Sequence, residues 1–271
     1  ILTGSKNTLK GVGFFLGALL LFYLGFQWAC AALGISIALA LALTALSLPA
    51  AQNLSNSKVQ LKHLISSDPR INWLSTARVF LFGSRDAWFV VALPVYLATD
   101  GGWSHLAIGS FLALWVIGYG LAQVNAPNWV GGASKGNTRP PGPDLLGKWT
   151  ALLPLPLIGL SAALYWGAPP VPLLIVSLAI FGVIFATSST IHSYLIVQYA
   201  QRDEVSLRVG FYYAANALGR LIGTLLSGWV FQAAGLGLAG LLACILTSTL
   251  LVILAAAATT PLRHAANSQV A

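Results

Sequence analysis

The chain has 271 residues, 57% of them hydrophobic and only 7% charged, with a formal charge of +8 and a mean hydropathy of +0.81. A water-soluble domain carries about 25% charged residues because its surface needs them, so a soluble globule is excluded. Stretches 11–24, 31–48 and 238–258 hold no charge at all, which suits a bilayer, where a helix satisfies its own backbone hydrogen bonds.

A helix needs about 20 mostly apolar residues to cross the hydrocarbon core. On that rule the chain reads as an all-α membrane protein with about eight spans: 9–25, 28–49, 72–98, 103–124, 147–167, 171–199, 206–230 and 234–259. The chain holds no methionine, so Ile1 is expected to lie inside a longer protein. Lys6 and Lys10 lead into a first span too long for the apolar core of a cleaved signal. A short uncharged turn at 25–27 joins it to the second. The polar stretch 50–71 follows, and the third span carries Arg78, Arg85, Asp86 and Pro94. Connection 125–144 is rich in Gly, Pro and Asn and predicts irregular backbone. Cys30 and Cys244 fall in apolar runs and read as packing residues rather than a disulfide or metal pair.

The basic residues alternate from one connection to the next. Lys6, Lys10, Lys58, Lys62, Arg70, Lys135, Arg139, Lys148, Arg202, Arg208 and Arg263 fall on one side. Lys10, Lys148 and Arg208 stand at span edges and count with the connections; the intervening connections hold no Lys or Arg, and only Arg78, Arg85 and Arg220 of the 14 basic residues lie well inside spans. Lys and Arg resist translocation, so the basic side and the C-terminus are expected in the cytoplasm and the protein in the inner membrane. The positive charge is therefore a topology signal, and no nucleic-acid partner is expected. Trp28, Trp103, Trp166 and Trp229 near outer ends, with Trp73 and Trp149 near inner ends, suit an interfacial belt.

Six spans after a polar linker match one half of a twelve-helix major-facilitator-type bundle. The expected organisation is then 1–50 as the end of a first half, 51–71 as a central cytoplasmic linker, 72–260 as a six-helix second half and 261–271 as a tail. These would be helices five to twelve, with the first four upstream.

Ionisable groups inside a span cost about 2.5–3.5 kcal/mol each on the insertion scale and usually face a cavity or a partner. Arg78 and Arg85 are two turns apart on one face, whereas Asp86 points about 100° away and suits a partner on another helix. Pro94 is expected to bend the helix beyond them. A guanidinium donates two parallel hydrogen bonds and suits a phosphate, arsenate or carboxylate, so Arg85 and Arg78 are candidate anion ligands. The structural alternatives are an ion pair of Arg85 with Asp86 or Asp100, and an Arg78 that snorkels to the cytoplasmic edge. Tyr212, Asn216 and Arg220 recur every four residues on one face and are candidates to line a cavity, with Tyr212 equally a core residue. Gly219, Gly223 and Ser227 form a small-residue row on the adjacent face, suited to close helix packing. His192, in the polar stretch 187–194, is a candidate proton or anion group, or a histidine satisfied by neighbouring hydroxyls. Asp86 is the one acid inside a span and the candidate for proton coupling. The sequence has no P-loop, zinc spacing or Gly-x-Ser-x-Gly elbow, so no enzyme, cofactor or metal is expected.

Five stretches carry a resemblance to one family: 4–16 (GSKNTLKGVGFFL), 77–97 (ARVFLFGSRDAWFVVALPVYL), 111–123 (FLALWVIGYGLAQ), 192–199 (HSYLIVQY) and 205–228 (VSLRVGFYYAANALGRLIGTLLSG). In these the chain resembles the organoarsenical efflux permeases of bacterial arsenic-resistance operons, the ArsJ type. The resemblance implies export of 1-arseno-3-phosphoglycerate, driven by the proton gradient. It also implies a functional partnership with the glyceraldehyde-3-phosphate dehydrogenase that makes this compound from arsenate. Arg85, Arg220, Asn216 and Tyr212, with His192 and Arg78, have the donors such an anion needs.

Overall fold

The computed structural model describes residues 2–47, 66, 68–130, 140–200 and 205–267. Most of the expected linker 51–71 lies outside these residues, as do Lys58, Lys62, Lys135, Arg139, Arg202 and the middle of connection 125–144. Among the described residues the secondary structure is helical, without strands. The helices are α1 (Leu2–Ser47), α2 (Pro69–Phe89), α3 (Ala92–Thr99), α4 (His105–Trp129), α5 (Pro143–Leu152), α6 (Pro154–Tyr165), α7 (Pro170–Tyr199), α8 (Val205–Ala233) and α9 (Gly237–Asn267).

The eight expected spans map onto these helices with one fusion and two breaks. Spans 9–25 and 28–49 run together as α1, in which Gly25 alone is non-helical (φ 71°, ψ 173°), a conformation open to glycine. The expected turn at 25–27 thus narrows to one residue. Span 72–98 is split into α2 and α3 at Val90–Val91, because Pro94 offers no N–H to the turn before it. Pro154 splits 147–167 into α5 and α6 in the same way, and the Leu153 N–H bonds instead to the Thr150 carbonyl. Contrary to the irregular backbone expected from residue 125 onward, α4 stays helical through Pro127 to Trp129. There the Asn125 side chain caps the Leu121 carbonyl at 2.9 Å.

Six segments among the described residues are long and apolar enough to cross a bilayer. One of them, Leu9–Ser47, has 39 residues, about twice the length one crossing needs. The helix α8 is long enough at 29 residues but is not among the six, since Arg208, Tyr212, Tyr213, Asn216 and Arg220 lower its hydropathy.

Helix α2 is the centre of the packing, with α8 and α9 against it, while α4 packs on α1 and α7, and α5 and α6 lie on α7 and α9. The contact of α2 with α8 is a backbone contact. A Cβ on Gly219 would run into the Val79 carbonyl, and one on Gly223 into the Gly83 carbonyl. The small-residue row read from the sequence therefore faces α2. At its end, Ser227 Oγ accepts a hydrogen bond of 3.1 Å from the Ala92 N–H, a donor released by the break between α2 and α3.

Two apolar clusters divide the bundle along its helices. The smaller one gathers Ile71, Leu74, Ile191, Leu195, Tyr212 and Leu262. The larger gathers Leu81, Phe82, Trp88, Phe181, Phe185, Cys244 and Val252 among others. On α2 the first ends at Leu74 and the second begins at Leu81; on α7 the order is reversed. Between them lies a layer of polar residues.

Beyond the smaller cluster, Asp68 caps α2 by accepting from the Arg70 N–H at 2.9 Å. The same carboxylate pairs with Arg70 at 2.7 Å and with Arg208 of α8 at 3.7 Å. Arg208 also donates to the Tyr199 carbonyl at 3.4 Å, which ties in the end of α7. Burial pushes the Asp68 carboxyl up, but the Arg70 hydrogen bonds and the charges of Arg70 and Arg208 outweigh burial and hold it below its ordinary 3.8. A carboxyl held low stabilises the fold at neutral pH and loses that contribution as pH falls toward and below its ordinary value.

Two measurements check this packing. Gly219→Ala or Gly223→Ala is expected to destabilise the protein by about 1–3 kcal/mol through overpacking, while Gly228→Ala, which meets open space, leaves the melting temperature in detergent unchanged or higher. Asp68→Asn is expected to lower the melting temperature at neutral pH. The gap to the unsubstituted protein then closes between about pH 5 and pH 3; a gap that stays constant over that range would refute the carboxylate's role.

Candidate functional site

The polar layer is built around three arginines and one acid. Arg78 is 4% exposed. Its Nε donates to Asn216 Oδ1 at 3.2 Å, and its Nη1 donates to Ser189 Oγ at 3.1 Å and to the Ser189 carbonyl at 3.4 Å. The guanidinium lies over the Phe82 ring at 3.9 Å and the Tyr212 ring at 4.9 Å. No carboxylate among the described residues pairs with it. Arg78 does not snorkel to the cytoplasmic edge: the side chain turns inward, where neutral oxygens and ring faces take the place of headgroups.

Asp86 is fully buried and is shared by two guanidiniums. Its Oδ1 accepts from Arg85 Nε at 2.7 Å and pairs with Arg85 Nη2 at 2.5 Å. Its Oδ2 accepts from Arg220 Nε at 2.9 Å. The 100° offset between Arg85 and Asp86 lets the acid reach α8 while its neighbour bends back to meet it. Asp100 is not the partner of Arg85; it accepts from the adjacent Thr99 hydroxyl at the end of α3.

Helix α4 supplies a wall that the sequence reading did not single out. Trp115, Tyr119 and Gln123 recur every four residues and so share one face. The two rings stack with centroids 5.7 Å apart. The Trp115 indole N–H donates to the Leu178 carbonyl at 2.9 Å, fixing its orientation. The Gln123 amide donates to Tyr119 Oη at 2.8 Å and to Ser189 Oγ at 3.3 Å. Ser189 thus joins Arg78 on α2 to Gln123 on α4. The spacing of 115, 119 and 123 was the available signal, hidden by the apolar residues between.

These groups enclose a cavity of about 240 Å³ with walls from α1, α2, α4, α7 and α8. Lys10, Arg78, Arg85 and Arg220 line it, and among the described residues Asp86 is the one carboxylate in its wall. Asn216, Gln123, Ser189, Tyr119 and Tyr213 add neutral hydrogen-bonding groups, and Phe14, Phe82, Phe89 and Trp115 add ring surface. A wider groove of about 750 Å³ between α1, α3 and α4 shares Lys10, Phe14 and Arg220 with it.

Of the residues read from the sequence, Arg78, Arg85, Asp86, Asn216 and Arg220 come together here. Tyr212 and His192 do not line the cavity. Tyr212 is 1% exposed and lies beneath the Arg78 guanidinium. His192 has no exposed surface, its ring is 6.4 Å from that of Tyr212, and neither of its nitrogens has a hydrogen-bond partner. The neighbouring hydroxyls therefore do not satisfy it.

Four cations thus stand against one carboxylate among the described residues of the cavity wall. Tyr213 lies on an exposed edge of the cavity wall, with 56% of its surface open. In a background with Cys30 and Cys244 replaced by serine, Tyr213→Cys is expected to react with a charged, membrane-impermeant thiol reagent. Leu225→Cys, on the same helix but facing outward, is expected to stay unlabelled in the membrane; equal labelling of both would refute an aqueous cavity on this face of α8.

Residues 79–270 match the family model of the Major Facilitator Superfamily. The match covers the whole of the cavity wall contributed by α4, α7 and α8, and α2 from Val79 onward. No curated protein and no solved structure matches the chain. Members of that family are transporters rather than enzymes, and they move small molecules across a lipid bilayer. With most of the chain matched, and with apolar helices long enough to cross a membrane several times, the protein belongs to the Major Facilitator Superfamily and is a multi-pass membrane transporter.

Proposed function

We propose that the protein exports an organoarsenical anion, 1-arseno-3-phosphoglycerate, from the cytoplasm by alternating access and so confers resistance to arsenate. The observation that carries this reading is the excess of cations over carboxylates in the central cavity. A small molecule bearing a phosphate, an arsenate ester and hydroxyls needs several cationic donors beside neutral ones. Arg85 and Arg220 hold its charged ends, with Arg78 and Asn216 between α2 and α8. Tyr212 and His192 support the cavity floor from behind. Asp86 carries the proton. The choice among organic anions rests on the resemblance in 77–97, 111–123, 192–199 and 205–228.

In this reading the protein lies in the inner membrane with its basic connections and C-terminus in the cytoplasm. Residues 1–50 close a first half, 51–71 link it to the second, and 72–260 form the half that rocks against the first. Its functional partner is the glyceraldehyde-3-phosphate dehydrogenase that makes the cargo. The wide groove beside the cavity, lined largely by apolar and small residues of α1, α3 and α4, favours a second reading, a carrier for a drug or another organic anion.

Arsenic efflux from a sensitive bacterium expressing the protein separates the two. Resistance to arsenate is expected only when the dehydrogenase is present, and Arg85→Gln or Arg220→Gln is expected to reduce efflux at least about 10-fold, the loss of one charged contact. Resistance without the dehydrogenase, or full efflux by both variants, would sink the organoarsenical reading.

A further inference from the structure

The two guanidiniums best placed to receive an anion already hold one. Arg85 reaches Asp86 through Nε and Nη2, at 2.7 and 2.5 Å, and Arg220 reaches it through Nε at 2.9 Å. The carboxylate is therefore an internal counter-ion occupying the position that a phosphate or arsenate oxygen would take. Asp86 has no exposed surface of its own, while Arg220 is 46% exposed and Arg85 13% exposed toward the cavity. An arriving anion meets the arginines first.

From this we infer that the cavity takes up an anion and a proton together. This rests on the reading of the cavity as an anion site and goes beyond it to the stoichiometry of binding. An anion that draws Arg85 and Arg220 onto itself takes from the buried Asp86 carboxylate the two guanidiniums that pair with it. A buried charge without a partner is neutralised rather than tolerated, and one proton on Asp86 does so. The reverse also holds: a proton on Asp86 releases both guanidiniums, so each ligand strengthens the other by the same factor. The proton then moves in the same direction as the anion instead of in exchange for it.

Every charged or titratable group around Asp86 is compatible with this. On α2 they are Arg78 and Arg85, on α8 Arg220 and Tyr213, on α1 Lys10 and on α4 Tyr119. Helices α3 and α9 bring no acid or base to the cavity wall. On α7, His192 stands behind the wall beside Tyr212. Asp86 is thus the one group of the wall able to exchange its own negative charge for that of a ligand.

The test uses the whole protein in detergent and inorganic sulfate, a dianion whose charge is constant between about pH 5 and 8, so that only the protein titrates. Sulfate affinity, read by dialysis with isotopic sulfate, is expected to tighten by up to about 10-fold for each unit that pH falls, the limit for one linked proton. Addition of sulfate to a weakly buffered sample is expected to raise its pH, with up to one proton taken up per sulfate bound. Asp86→Asn is expected to bind sulfate with an affinity that no longer depends on pH. Should that variant fail to fold, the affinity series and proton uptake of the unsubstituted protein decide alone. Affinity that is flat with pH, or proton release on binding, overturns the inference while leaving the anion site intact. So does a pH dependence that survives in Asp86→Asn and disappears in His192→Gln. Absence of sulfate binding at every pH overturns the anion site itself, and the inference with it.

Discussion

The Asp86 carboxylate, buried between Arg85 and Arg220, is the contact on which the middle of the protein depends. The fully buried carboxylate is not tolerable alone at that depth, because a buried charge left without its partners is strongly destabilising. Together the three charges leave one positive charge over, and that surplus faces the cavity. The contact also fixes geometry. It spans α2 and α8 close to where Gly83, Gly219 and Gly223 bring the two backbones together. Bulkier residues in that row would hold α8 away and leave Arg220 short of the carboxylate. The glycine row and the ion pair are thus two parts of one arrangement.

Arg78 solves the same problem differently. Its charge is spread over amide, hydroxyl and carbonyl oxygens and over two ring faces, with no carboxylate among the described residues. Such a cation is stabilised enough to stay buried, yet retains attraction for a mobile anion that a formal ion pair would have cancelled. The two apolar clusters on either side keep this polar layer narrow. The Asp68 cluster lies on the far side of the smaller one, where α2, α7 and α8 meet. Charge is therefore stacked in two tiers along α2 and α8, separated by a seal in which Tyr212 takes part.

Much of this was legible in the sequence, for physical reasons that differ from one element to the next. The spans stood out because a bilayer admits little charge, and the breaks near Val90 and Leu153 follow from prolines four and one residues on. The faces of α8 followed from a spacing of four, since the small row and the polar row cannot point the same way. The partner of Asp86 followed only as far as "another helix", because periodicity gives direction on one helix and not the identity of the neighbour. Trp115, Tyr119 and Gln123 escaped because tryptophan and tyrosine are ordinary in membrane spans; their role depends on Ser189 and Arg78 from other helices. His192 and Tyr212 depart in the opposite sense. Their polarity marked them for the cavity, and the packing put them behind it.

The internal counter-ion bears on what drives transport. In the proposed exporter, each negative charge leaving a cytoplasm held at −100 mV gains about 2.3 kcal/mol. A dianion accompanied by one proton still moves one net negative charge outward and keeps that gain. The proton itself moves against its concentration difference at a cost of about 1.4 kcal/mol per pH unit. With a difference of about one unit the electrical term wins, and each further negative charge on the cargo widens the margin by another ~2.3 kcal/mol. A cavity with four cations and one displaceable carboxylate therefore suits multiply charged cargo. In the proposed exporter the proton site then serves to keep Asp86 neutral while the cargo is bound, and the membrane potential, rather than the proton gradient that the resemblance implies, supplies the work.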